Sequence, residues 1–152
     1  MSEKRYVIES QFDCGGFPCV VVFQRLGHRC GYVGVDKTHE LYHVDYQAVE
    51  DLDCHGGLTY SGGPGYPVKG DYWWFGFDCA HYGDLPDYEL AAGYFPDDPE
   101  VKLLKESPWR RFPTYDFEEI RSKEYVELEC KKLTAQLATF KHEVRKEVKH
   151  GN

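Results

Sequence analysis

The chain has 152 residues, the size of one ordinary domain, with 16% aromatic and 29% charged residues and a formal net charge of −8. An acidic chain of this kind lacks the clustered Lys and Arg that a phosphate backbone requires, so direct DNA or RNA binding is set aside. No apolar run reaches the length of a membrane span, and Met1 to Arg5 lead into a short Val/Ile segment rather than a signal-peptide core, which predicts a soluble cytoplasmic protein with no membrane partner.

The first third reads as antiparallel β-structure. Arg5 to Phe12 is β-prone, Asp13 to Gly16 supply turn residues, and Cys19 to Arg25 is a strand by its β-branched content. Leu26-Gly27-His28 closes a hairpin onto Arg29 to Val35. A turn centred near Gly27 puts Val21 opposite Val33 and Phe23 opposite Gly31 on one face, leaving Val22, Gln24, Tyr32 and Gly34 on the other.

Residues Asp36 to Asp51 form a polar crossover with one short helical turn around Tyr46 to Val49. Two further strands are expected at Leu52 to Ser61 and Tyr72 to Ala80, joined by a Gly/Pro-rich loop. Gly70 to Val101 carries acidic residues and no Lys or Arg, which predicts an exposed, negative loop region interrupted by a helix at Asp87 to Tyr94.

From Asp116 to about Lys149 the pattern is that of one long helix, with Asp116 as N-cap, Glu118 and Glu119 in the first turn, and Lys141, Arg145, Lys146 and Lys149 near the end. Val126, Cys130, Leu133, Leu137, Phe140 and Val144 repeat at a/d spacing. Such a helix is about 50 Å long at ~1.5 Å per residue, more than a small sheet covers, so part of the stripe is expected to meet another copy of the chain. Packing on its own sheet is the other reading of the same stripe. The fold expected over residues 1–152 is thus a single α+β domain: a mainly antiparallel sheet of about five strands packed by a long C-terminal helix.

Side-chain alternation then locates a candidate site. Trp73, Phe75, Phe77 and Cys79 share the helix-facing side, as do Cys54, Leu58 and Tyr60 in the preceding strand. The opposite side carries Tyr32, His55, Gly57, Thr59, Trp74, Gly76 and Asp78, an assembly of indole, imidazole, carboxylate and hydroxyls separated by glycines. Glycine weakens a strand, and close approach by a ligand is one reason to keep it there. The expectation is a small-molecule ligand, such as a nucleotide, stacked on Trp74 and Tyr32 and hydrogen-bonded by His55, Thr59, Asp78 and His81, with Gly56, Gly57 and Gly76 permitting approach. A polar, solvated outer face with glycines at bulges is the plainer alternative.

Other chemistries are weaker on this pattern. Cys79 and His81, with Asp78, Asp84 and His55 nearby, are competent metal ligands, but the spacing matches no standard site, so neither a metal nor a cofactor is assigned. Cys79 with His55 and Asp78 has the residue types of a nucleophilic triad, yet adjacent residues of a straight strand cannot face one imidazole. The loop Ser61 to Gly65 offers backbone N–H groups for an anion but lacks the Gly-Lys-Ser/Thr ending of a P-loop. The six cysteines show no CxxC pair and are read as reduced, with a bond between Cys14 and Cys19 reserved for an oxidising compartment.

The strings GHRCGYVGV (Gly27 to Val35), CHGGLTYSG (Cys54 to Gly62) and WWFGFDCAHYGD (Trp73 to Asp84) resemble those of a family of small uncharacterised proteins carried by bacteriophages and Gram-positive bacteria. No activity is established for that family, so the resemblance implies a setting only: an accessory protein acting inside a bacterial cell. Three roles suit it. One is a counter-defence sponge that sequesters a nucleotide immune signal, assembled as a homo-oligomer through the C-terminal helix. Another is a hydrolase acting on a nucleotide or similar substrate with His55, Asp78 and His81. The third is an acidic decoy for a host defence protein, using charges such as Asp97 and Asp98.

Overall fold

The computed structural model describes residues 5–107 and 117–150, with side chains to residue 140. Five strands, β1 (Tyr6–Cys14), β2 (Phe17–Gln24), β3 (Arg29–Val35), β4 (Tyr60–Gly62) and β5 (Trp73–Asp78), form one antiparallel sheet in the order β1-β2-β3-β5-β4. Three helices follow: α1 (Tyr88–Tyr94), α2 (Pro99–Glu106) and α3 (Lys123–His150). The α+β architecture with a long C-terminal helix against the sheet is therefore present.

The first hairpin turns on Gly15 and Gly16, whose φ values of 58° and 89° are those a two-residue connection between twisted strands demands. Gly15→Ala is expected to cost about 1 kcal/mol through the positive φ alone, since no heavy atom lies within 4 Å of the added Cβ. A urea midpoint shift with an unchanged slope checks it. The second hairpin pairs Val21 with Gly31 and Cys19 with Val33. This is two residues away from the expected register. The tighter closure, with Gln24 N–H donating to His28 C=O at 2.8 Å, sets it. A two-residue slip preserves side-chain parity, so the faces read from alternation survive it.

One face of the sheet meets α3. Cys19, Val21, Val33, Val35, Phe75, Phe77 and Cys79 bury against Val126, Cys130, Leu133, Leu137 and Phe140. Gly31 lets the layers close, since a Cβ there would stand 2.4 Å from the Phe77 ring and 2.9 Å from Cys130 Sγ. The stripe as far as Phe140 is thus consumed within the chain, and any contact with a second copy would have to use other residues. Val144 and the basic residues Lys141, Arg145, Lys146 and Lys149 lie outside the described side chains.

The start of α3 corrects the expected one. The helix begins at Lys123, where Ser122 Oγ accepts from the Tyr125 N–H at 3.1 Å as an N-cap. Glu118 and Glu119 precede it, and Asp116 lies outside the described residues.

The other face is not a wet pocket floor. Val20, Val22, Cys30, Tyr32 and Trp74 are buried there beneath Tyr6, Tyr60, Tyr66, Val68 and Tyr72, the last three brought by the Gly/Pro-rich loop after β4. Tyr60, expected on the helix side, belongs to this cluster and stands edge-on to Tyr32 at 5.5 Å.

The expected strand from Leu52 to Ser61 shrinks to the three residues of β4. Gly56 and Gly57 adopt φ values of 71° and 82° and fold the segment into a turn, which ends the period-two alternation read through it. The expected acidic loop is also more structured than its composition suggests. Asp87 caps α1, as expected, and Asp98, Pro99 and Glu100 open the unforeseen α2. Asp98 pairs with Arg25 at 2.7 Å. At the far end of the sheet, a bulge at Glu9 turns its carboxylate onto Arg29 at 2.6 Å, and both side chains are buried.

Among the described residues no helix is long and apolar enough to cross a membrane.

Candidate functional site

Three pieces of chain meet beyond the end of β5. The turn in the approach to β4, Cys54 to Gly57, is closed by the Gly57 N–H on the Cys54 C=O at 2.9 Å and presents His55. The turn after β5 is closed by the Asp84 N–H on the His81 C=O at 2.8 Å, with Gly83 at φ 97°, and brings His81 and Asp84 together. The segment entering α3 supplies Arg121 and Tyr125. It is pinned to the second turn by the Glu119 N–H on Gly83 C=O and the Leu85 N–H on Glu119 C=O.

Asp84 is the hub. Its side chain is 1% exposed, and both of its oxygens accept hydrogen bonds. Oδ1 accepts from Arg121 Nε at 2.8 Å, Oδ2 accepts from the His81 backbone N–H at 3.0 Å, and His55 Nε2 lies 3.0 and 2.9 Å from the two oxygens. Burial pushes the Asp84 carboxyl up, but the Arg121 guanidinium, the His55 ring and the His81 N–H outweigh it and hold it below its ordinary value.

A carboxyl lowered in the fold stabilises it at any pH above the unfolded value of about 3.9, and that contribution is lost as pH falls through the lower folded value. The stability difference between the unsubstituted chain and Asp84→Asn is therefore expected to be full at neutral pH and to shrink below about pH 4. Chemical denaturation across pH reads it directly. A gap that widens with acid would contradict the assignment.

Two imidazoles flank this carboxylate differently. His55 is fixed on both nitrogens, with Nδ1 at 2.8 Å from the Tyr125 hydroxyl and Nε2 at Asp84. His81 is a third exposed, and its Nδ1, itself buried, has no hydrogen-bond partner among the described residues; it faces Asp84 Oδ2 at 3.7 Å and Asp78 Oδ1 at 3.5 Å. Gly56 makes room for that ring, since a Cβ there would fall 2.4 Å from His81 Cε1. The donor atoms of His55, His81 and Asp84 lie within 4.8 Å of one another.

Comparison with protein-family models, with curated proteins and with solved structures found no match. The site is accordingly judged on its own geometry.

The structure divides the residues that alternation placed together. His55, Gly56, Asp78 and His81 belong to this cluster, on the α3 side of the sheet for His55. Tyr32 and Trp74 do not: they are 5% and 0% exposed in the opposite layer, so neither offers a stacking face. Gly76 is not open to a ligand either, because the Tyr32 ring fills the space, 2.6 Å from where its Cβ would be. Gly57 is half-buried with nothing within 4 Å of an added Cβ, and Thr59 is exposed, its N–H donating to the Gly76 C=O at 2.9 Å.

Cys79 is buried in the helix-side core, where burial first, then the Asp84 carboxylate, pushes its thiol up. A buried thiol held protonated is a poor nucleophile at neutral pH. All six cysteines are free, Cys14 and Cys19 included.

Sequence reasoning named Asp84 only among possible metal ligands, without assigning it to the site, and missed Arg121 and Tyr125 altogether. The spacing His81-Tyr82-Gly83-Asp84 held a usable signal for the first. Glycine at the third position of a tight turn brings the first and fourth side chains together. Nothing local marks Arg121 and Tyr125, which arrive by tertiary packing.

Proposed function

We propose that the His55–His81–Asp84 cluster is a water-activating centre and that the chain is a small hydrolase, with ester- or phosphoester-bearing molecules, nucleotides among them, as its substrate class. The observation that carries this reading is the buried Nδ1 of His81, which has no hydrogen-bond partner among the described residues and is held between two carboxylates on a ring that solvent reaches. A structural histidine satisfies both nitrogens internally, as His55 does, whereas one left with an unfilled site beside fixed negative charge is placed to take part in proton transfer.

In this reading a water at the Asp78 edge gives its proton to the cluster as its oxygen bonds to the acyl or phosphoryl centre. The bond to the leaving oxygen then breaks, and that oxygen takes a proton. Asp84, fixed by Arg121, offsets the charge gained by the imidazoles, and Tyr125 holds the orientation of His55. The sequestering alternative has lost the support of Tyr32 and Trp74, and the decoy alternative that of Asp98, whose charge is matched by Arg25.

The test is incubation of the purified chain with a panel of linear and cyclic nucleotides and nitrophenyl esters, followed by mass analysis. Product is expected from the unsubstituted chain, with His81→Ala at least ~100-fold slower, the usual contribution of a positioned acid–base group. Recovery of every molecule intact at enzyme-like concentrations would overturn the proposal, and recovery of one bound nucleotide unchanged would favour sequestration instead.

A further inference from the structure

We propose that the same cluster is a metal centre, holding one divalent first-row transition ion, with Zn2+ the best fit, on His55 Nε2, His81 Nδ1 and an oxygen of Asp84. The inference rests on the hydrolytic reading and deepens it by putting the ion, in place of the imidazoles, as the group that would activate water, with Asp78 left to accept the proton, and it also stands on observations of its own.

The donor set comes first. Two imidazole nitrogens and one carboxylate oxygen, with further positions open, is the composition of catalytic zinc sites rather than of closed structural ones. Neutral nitrogen donors with a single carboxylate also favour transition ions over Mg2+ or Ca2+, which take oxygen.

Distances come second. An ion bound tetrahedrally at ~2.1 Å from each ligand puts its donor atoms about 3.4 Å apart. His55 Nε2 and His81 Nδ1 stand 2.9 and 3.7 Å from Asp84 Oδ2, and no pair in the cluster exceeds 4.8 Å. The Asp84 oxygen is already at such a separation from both rings, and closure of the two rings by at most about 1.4 Å completes the set.

The surrounding groups supply a third line. Metal-bound histidines characteristically donate the other ring N–H to an oxygen, and ligating carboxylates are themselves hydrogen-bonded. His55 has the Tyr125 hydroxyl on Nδ1 at 2.8 Å, and Asp84 has Arg121 Nε on Oδ1 at 2.8 Å and the His81 backbone N–H on Oδ2 at 3.0 Å, with Oδ2 2.9 and 3.7 Å from the two rings. Without an ion, the close approach of Nε2 to the carboxylate places the ring proton on Nε2 and makes Nδ1 the acceptor of the tyrosine O–H. Binding would reverse the tautomer: Nε2 gives its lone pair to the ion, the proton moves to Nδ1, and Tyr125 turns its oxygen to accept it. Asp78, 3.5 Å from His81 Nδ1 and partly exposed, stands where a fourth ligand or the acceptor for a metal-bound water's proton would be.

Gly56 is explained by the same requirement. The His81 ring sits where a side chain at 56 would be, so the two imidazoles can reach one point only with glycine there.

The experiment is equilibrium dialysis of the full chain, first stripped with chelator, against Zn2+, with metal content read per chain and Co2+ absorption as a second probe. One Zn2+ per chain is expected, with affinity lowered more than ~100-fold in His81→Ala and His55→Ala and ~10–100-fold in Tyr125→Phe, the range for loss of a group that orients a ligand. His43→Ala, an exposed histidine stacked on Tyr42 away from the cluster, should bind as the unsubstituted chain does. The His81 variant is expected to fold, and far-ultraviolet circular dichroism checks that.

Absence of stoichiometric Zn2+, or Zn2+ retained by both histidine variants, overturns the proposal. Hydrolysis that persists undiminished after chelation overturns it too, while leaving the hydrolytic reading intact. One tightly bound Zn2+ with no turnover of any panel member supports the metal centre and removes the hydrolase.

Discussion

Asp84→Ala is expected to destabilise the chain by about 3 kcal/mol and to abolish the centre. The substitution leaves a largely buried guanidinium and an imidazole without their shared acceptor, and loss of one partner from a buried charged pair typically costs about 3–5 kcal/mol. We place the effect at the lower end because Arg121 is one-fifth exposed and keeps Glu119 as a second partner. The backbone is also touched, since Oδ2 accepts the His81 N–H that shapes the turn. Urea denaturation gives the stability term. Asp84→Asn separates the two consequences, because an amide retains volume and one acceptor while losing the charge. It should lose turnover almost completely at a smaller stability cost than alanine. A chain with Asp84→Ala as stable as the original would mean that the carboxylate is not buried as described.

Trp74→Ala should unfold the protein more readily than any single change at the proposed centre, by about 3–5 kcal/mol, the range for truncating a fully buried large aromatic. The indole is 0% exposed among Val20, Val22, Cys30 and Tyr32, with Tyr72 edge-on at 5.8 Å. Its N–H lacks a partner among the described residues, which is itself unfavourable, so Trp74→Phe should cost much less than alanine: it loses volume but also removes the orphaned donor. A thermal midpoint for Trp74→Ala within a degree or two of the unsubstituted chain would contradict the burial and revive a ligand-facing indole.

The contrast between these two residues shows how far the sequence could be read. Alternation along β2, β3 and β5 separated the layers correctly, because a strand's period of two survives even an error in register; Val21 pairs with Gly31 and not Val33, yet both lie on the helix side. The stripe from Val126 to Phe140 was equally legible, since a repeating apolar face has to be buried, and here the chain's own sheet buries it.

What alternation could not supply was which face stays wet. Polar-capable aromatics at Tyr32 and Trp74 looked like a pocket floor, but a loop rich in Gly and Pro lays Tyr66, Val68 and Tyr72 over them. Such coverage is a tertiary fact with no local signature. The glycines misled for a related reason. Gly76 and Gly56 do mark close approach, as glycine in extended segments often does, but the approaching groups are the Tyr32 and His81 rings of the same chain.

His55 was assigned its face by treating 52–61 as a strand. Two residues at positive φ end that periodicity, and the imidazole swings toward α3. The constellation that results retains His55, Asp78 and His81 from the sequence reading, exchanges the indole and tyrosine for Asp84, Arg121 and Tyr125, and turns a stacking site into a charged one.

The proposed chemistry requires His55 and His81 to serve one centre rather than two unrelated structural roles. Its most direct test is turnover in a double-substitution cycle of His55→Ala, His81→Ala and both together. Residues that act as a unit are strongly non-additive, so the double variant should be about as slow as the slower single one. Losses that multiply, or single variants that turn over at the original rate, would show that the two imidazoles do not work on a common reacting group.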